Sequence, residues 1–195
     1  MGWATKGLEF IVSDEIKSSL EILIRGRKYA SFFEWPDKQI KELGVVKELL
    51  TTLNNTTNLG LHSPTVYKQD PPDCVCKDLK GGNVAIEVTE IVCSDAARLN
   101  AQGQNVYRVW KSSELASLIE HRLSEKDKKN YHGGPYVSIL VCLFTDEPML
   151  TVDFVKTELA SVSFGSFMQI TSAFLLFSYD SASKSYPAIQ LNFKS

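Results

Sequence analysis

Residues 84–92 constrain this chain more than any other stretch, because Val84, Ile86, Val88, Thr89, Ile91 and Val92 crowd into nine positions and leave little option but an extended strand. A shorter strand-like stretch, residues 73–77, precedes it. Between the two, Asp78, Gly81, Gly82 and Asn83 supply turn chemistry, so the pair reads as a β-hairpin. A second apolar run, residues 136–144, has the continuous character of a strand covered on both faces, which is the mark of a parallel or mixed sheet.

Helical periodicity fills the intervals. Ile16, Leu20, Leu23 and Ile24 predict a helix over 13–27, followed by the aromatic residues Phe32, Phe33 and Trp35 and a break at Pro36. Asp37 is a suitable N-cap for a helix over 38–53. Residues 54–68 read as a polar loop and 94–104 as a loop or loose helix. Leu115, Leu118, Ile119 and Leu123 mark a helix over 112–126, another spans 152–159, and 174–179 with 188–193 form a closing hairpin. Strands interspersed with helices over 195 residues predict one α/β domain, residues 1–195, with a central mixed sheet flanked by helices.

The hairpin brings chemistry with it. Alternation along a strand puts Glu87 and Thr89 on one face and Ile86, Val88 and Glu90 on the other; in the first strand Asp73 shares a face with Val75. The short turn places Asp73 opposite a residue between Glu87 and Glu90. Two carboxylates on one face repel unless a cation or proton lies between them. Mg²⁺ suits the pair, since it takes oxygen ligands from one or two carboxylates and completes its shell with water or phosphate. The helix over 38–53 offers a third carboxylate: Glu42 falls within roughly 40° of the centre of the stripe made by Ile40, Leu43, Val46, Leu49, Leu50 and Leu53, whereas Glu48 points away.

Bulk properties exclude other classes. The formal charge of −2 gives no general basic excess for a polyanion, and the Lys and Arg clusters at Arg25, Arg27 and Lys28 and at Lys126, Lys128 and Lys129 read as solvated helix ends. Cys74, Cys76, Cys93 and Cys142 lack the spacing of a structural zinc site and read as core thiols. No stretch has the about 18 consecutive apolar residues of a membrane span. Residues 1–24 lack a long apolar core after a basic stretch, so the expected location is the cytoplasm.

Pro72 and Asp73, a gap of 13 residues, then Glu87, Val88 and Thr89, with residues 37–42 on a preceding helix, resemble the PD-(D/E)xK nuclease-like superfamily. Residues 85–90 are similar to the corresponding segment of small bacterial members. The resemblance covers about half the chain, roughly residues 37–129. It implies a restriction-endonuclease-like fold and Mg²⁺- or Mn²⁺-dependent hydrolysis of phosphodiester bonds in DNA or RNA. It implies metal ligands from Glu42, Asp73, Glu87 and the backbone carbonyl of Val88, with Asp73, Glu87 and Thr89 at the catalytic positions. The family's Lys position holds Thr89, which can orient a water but carries no charge. Lys111, or failing that Lys80, is then expected to supply a cation. A second expectation is a catalytically weak or inactive module of the same fold that binds nucleic acid or a protein partner. The aromatic C-terminal third, with Phe164, Phe167, Phe174 and Phe177, suggests a surplus apolar patch for a homodimer.

Overall fold

The computed structural model describes residues 37–102, 104 and 106–194, so the expected helix over 13–27 and the aromatic residues Phe32, Phe33 and Trp35 lie outside the described residues. The elements are helix α1 (Lys38–Thr56), strands β1 (His62–Val66), β2 (Cys74–Lys77) and β3 (Asn83–Glu90), helices α2 (Ser94–Ala101) and α3 (Ser112–Asp127), strand β4 (Ser138–Thr145), helix α4 (Val152–Glu158), and strands β5 (Ser172–Phe177) and β6 (Ala188–Gln190).

The strands form one six-stranded sheet in the order β1-β2-β3-β4-β5-β6. The outer pairs are antiparallel; β3–β4 and β4–β5 are parallel, so each needs a crossover. Crossovers in the same direction put their helices on the same face. Ile91, Val141, Leu143, Ala173 and Leu175 accordingly pack with Leu115, Ile119 and Leu123 of α3 and Val155 of α4. Ile86, Val88, Leu140, Cys142, Phe174 and Leu176 line the opposite face, under Val45, Val46, Leu49, Leu50 and Leu53 of α1. Each such aliphatic side chain contributes about 1.5–3 kcal/mol on burial. The domain is therefore helix, sheet, helix, and the hairpin of β2 and β3 lies inside it as the apolar pattern requires.

α1 begins where Asp37 accepts the Ile40 amide at 3.0 Å, a side-chain N-cap. β1 differs from expectation: residues 62–66 lie in the stretch read as a polar loop but pair with β2 as the edge strand. It is largely exposed, its register shifts between His62 and Thr65, and Ser63 takes a φ of 56°. An edge strand with no buried face leaves no apolar alternation to read. Glu48, expected to point outward, is half-buried.

The four cysteines are free and buried. Phe164, Phe174 and Phe177 are buried in the chain's own core, and Phe167 packs edge-on against Phe193 at 4.9 Å. Among the described residues no helix is long and apolar enough to cross a membrane.

Candidate metal centre

The register of the hairpin fixes the centre. Cys74 pairs with Ile86, so the next step along the ladder sets Asp73 opposite Glu87, on the α3 face of the sheet. β2 ends there, after Pro71 and Pro72, neither of which can donate to a ladder. The backbone groups of Val88 that would meet β2 are taken by side chains instead. Its amide donates to Asp73 Oδ2 at 2.8 Å, and its carbonyl accepts Lys126 Nζ at 3.2 Å. Asp73 is 6% exposed and Glu87 0%.

Two ammonium groups meet Glu87. Lys126 Nζ donates to Glu87 Oε2 at 2.6 Å and Lys129 Nζ to the same oxygen at 2.8 Å. Lys126 Nζ is also 3.7 Å from Asp73 Oδ2, and Lys129 Nζ is 3.4 Å from Asp70 Oδ1. Burial alone would lower the Lys129 ammonium, but the hydrogen bond and charge of Glu87, with Asp70 and Asp73 behind it, hold its pKa above the ordinary value. These lysines stand at the end of α3, not in solvent as their sequence cluster suggested. Lys126 sits at the helical phase of Leu115, Ile119 and Leu123, within about 20° of Leu115 at 100° per residue, so the buried stripe of α3 ends in a cation. Tyr131 adds a clamp by donating its hydroxyl to the Lys126 carbonyl at 3.0 Å.

Carboxylate oxygens of Asp70, Asp73 and Glu87 all lie within 4.8 Å of one another, a group able to hold a metal ion. Only oxygen donors converge, which suits a hard cation such as Mg²⁺ or Mn²⁺ and not zinc. Among the described residues, buried Glu87 Oε1 has no hydrogen-bond partner, although the carboxylate's other oxygen has two. A fully buried, unpartnered carboxylate oxygen is costly unless a cation reaches it, so the donor set fits the metal that the sequence implies.

Glu42 takes a different place from the expected one. Its helical phase does turn it inward: the side chain is 12% exposed and pairs with Lys38 at 3.3 Å. Burial first, and then the charge of Asp73, raise its pKa above the ordinary value. It faces the same cavity as Asp73, a cleft of about 310 Å³ that Lys38, Lys41, Lys126 and Lys129 also line. It is not in the close group, because α1 covers the opposite face of the sheet and reaches the centre only around the open end of β2. Asp70, in the loop before β2, is the third close carboxylate; nothing local in the sequence marks it.

Thr89 lines the cleft two residues beyond Glu87, as strand alternation requires. Lys111 does not approach. It is the exposed N-cap of α3, at the other end of a 16-residue helix from Lys126. At about 1.5 Å per residue the two lysines are about 22 Å apart along the helix. The helix runs antiparallel to the strands it joins, so its last turn, not its first, returns to the hairpin. Lys80 is exposed in the turn at the far end of the hairpin, where its amide bonds Asp78.

No family model, curated protein or solved structure matches this chain.

Proposed function

We propose that this chain is a metal-dependent nuclease-like protein that hydrolyses phosphodiester bonds of nucleic acid, a divergent member of the PD-(D/E)xK nuclease-like superfamily with a restriction-endonuclease-like sheet. The observation that carries the reading is the setting of Asp73 opposite Glu87, both buried, with the Val88 carbonyl turned to the same point and a Glu87 oxygen left without a partner. Asp73, Glu87 and the Val88 carbonyl would hold Mg²⁺ or Mn²⁺, with Asp70 as a further carboxylate and Glu42 acting through water. The metal, when bound, supplies Lewis-acid polarisation of the phosphate and an acidified water.

The chain's own groups do the rest. Asp73 stays oriented because it accepts the Val88 amide. Lys126 supplies the positive charge that Thr89 cannot, arriving from α3 rather than from β3. Charge stabilisation at the phosphate is a large term in phosphoryl transfer, so one ammonium at this position matters more than net charge. Thr89 offers a hydroxyl to the attacking water. Lys38, Lys41 and Lys129 also place ammonium groups in the wall of the cleft, within reach of a nucleic-acid backbone, each held there by a carboxylate: Glu42, Glu90 and Asp70.

A second reading is a weak or inactive module of the same fold that binds nucleic acid or a protein partner. It is favoured by one observation: Lys126 and Lys129 already neutralise Glu87. The two separate on one experiment. Single- and double-stranded DNA and RNA are incubated with the chain in Mg²⁺ or Mn²⁺, with Asp73→Asn and Glu87→Gln alongside. Cleavage that needs the metal and both carboxylates supports the first reading; binding without cleavage supports the second.

A further inference from the structure

We infer that Lys126 is the resident cation of the centre and that a divalent metal binds by displacing its ammonium group. The inference rests on the metal-dependent reading above and adds how the metal enters.

Lys126 Nζ lies 2.6 Å from Glu87 Oε2, 3.2 Å from the Val88 carbonyl and 3.7 Å from Asp73 Oδ2. These are the three groups that the hairpin offers to a metal. A metal on them would sit at about 2.0–2.6 Å from each oxygen, inside the space the ammonium takes. Two cations cannot share that position. Lys129 is placed differently: it meets Glu87 and Asp70 but is bonded to neither Val88 nor Asp73. It can keep its hydrogen bonds while Lys126 leaves.

The local structure allows the exchange. The Lys126 carbonyl is tied to the Tyr131 hydroxyl, so the backbone stays fixed while the four-carbon stem turns. The cleft beside it is about 310 Å³ and already includes Lys126 in its wall. The displaced ammonium therefore moves toward the space where a phosphate would lie. One side chain neutralises the carboxylates of the metal-free protein and becomes the phosphate's counter-charge once metal is bound.

Competition makes Lys126 the group that sets metal affinity. Calorimetric titration with Mn²⁺ is expected to show binding at least about tenfold tighter in Lys126→Met than in the unaltered chain, with Lys129→Met changing it less and Lys126→Arg restoring weak binding. In the unaltered chain, the ¹⁵Nζ resonance of Lys126 should lose its ion-paired signature on Mg²⁺ addition while that of Lys129 keeps it. This second measurement stands even if Lys126→Met does not fold. Equal affinities in the unaltered chain and Lys126→Met, or an unmoved Lys126 signal at saturating Mg²⁺, would overturn displacement and leave the metal centre intact. Absence of Mn²⁺ binding in every variant would overturn the metal-dependent reading itself.

Discussion

Lys126 Nζ lies 2.6 Å from Glu87 Oε2 and so fastens the last turn of α3 to the middle of β3. Breaking a buried pair leaves a charge behind, at about 3–5 kcal/mol when no other partner remains. Lys129 still reaches the same oxygen, so Lys126→Met is expected to lose somewhat less, about 2–3 kcal/mol. Lys126→Arg should lose less again. Urea denaturation without metal measures both, and a loss below about 0.5 kcal/mol in Lys126→Met would show that the pair does not stabilise the fold.

Thr89→Lys places a lysine where the PD-(D/E)xK pattern has one. If Lys126 already supplies the charge, the extra ammonium brings no new interaction to the phosphate, and the cleavage rate should change by less than about threefold. A gain of about a hundredfold or more, read on a fluorescent oligonucleotide, would mean that Lys126 does not serve the phosphate.

Glu42 gives a pH signature. Its pKa is raised from the ordinary 4.5, by burial first and then by Asp73. A carboxyl group with a raised folded pKa holds its proton more tightly folded than unfolded. Its ionisation therefore costs stability as pH rises from the ordinary value through the raised one. Glu42→Gln cannot ionise, so its melting temperature relative to the unaltered chain should climb across that window. A difference that stays flat between about pH 4 and 7 would remove Glu42 from the electrostatics of the cleft.

Asp127, the neighbour of Lys126, anchors a loop. Its carboxylate accepts the amides of Met168, Gln169 and Ile170 at 2.9, 2.8 and 3.0 Å. Burial pushes its pKa up, but the three amides outweigh it and hold the pKa below the ordinary value. The stability it contributes is present above the ordinary carboxylate range and lost as pH falls through the lowered value. Asp127→Ala should cost about 1–2 kcal/mol near neutral pH and loosen residues 168–170 in hydrogen exchange.

Cys74 lies directly behind Asp73, and burial first, then the charge of Asp73, push its thiol up to about 12. Burial likewise raises Cys76 to about 11 and Cys142 further. Only thiolates react, so these three should resist a disulfide reagent near neutral pH until denaturant is added. Rapid labelling of Cys74 in the native protein would show that the core between α1 and the sheet, behind Asp73, is open to solvent.

What could be read from the sequence was what is local. Strand alternation set Asp73 and Glu87 on one face, and a run of β-branched residues told where β3 lies, because both depend on neighbours two positions apart. Helical phase turned Glu42 inward for the same reason. Asp70 could not be found that way, since a loop has no period. Lys129 comes to Glu87 only through the crossover, and Lys111 stays away because α3 brings its last turn, not its first, back to the hairpin. Lys126 was legible in principle: a lysine in phase with Leu115, Ile119 and Leu123 is the same kind of signal as an inward Glu42, but its place in a basic cluster made it look like a solvated end. β1 escaped because an exposed edge needs no apolar residues.

The early end of β2 has a consequence for solubility. Where a strand stops short, its neighbour presents bare amides and carbonyls, and a foreign strand can dock there and seed aggregates. On β3 that stretch begins at Val88, and it is stoppered: Asp73 takes the amide, Lys126 takes the carbonyl, and Pro71 and Pro72, which precede Asp73, have no amide to donate. The residues proposed to hold metal thus also guard an open edge. Variants that remove Asp73 or Lys126 unstopper it, and they should be handled at low concentration and checked for assemblies before any loss of function is ascribed to chemistry.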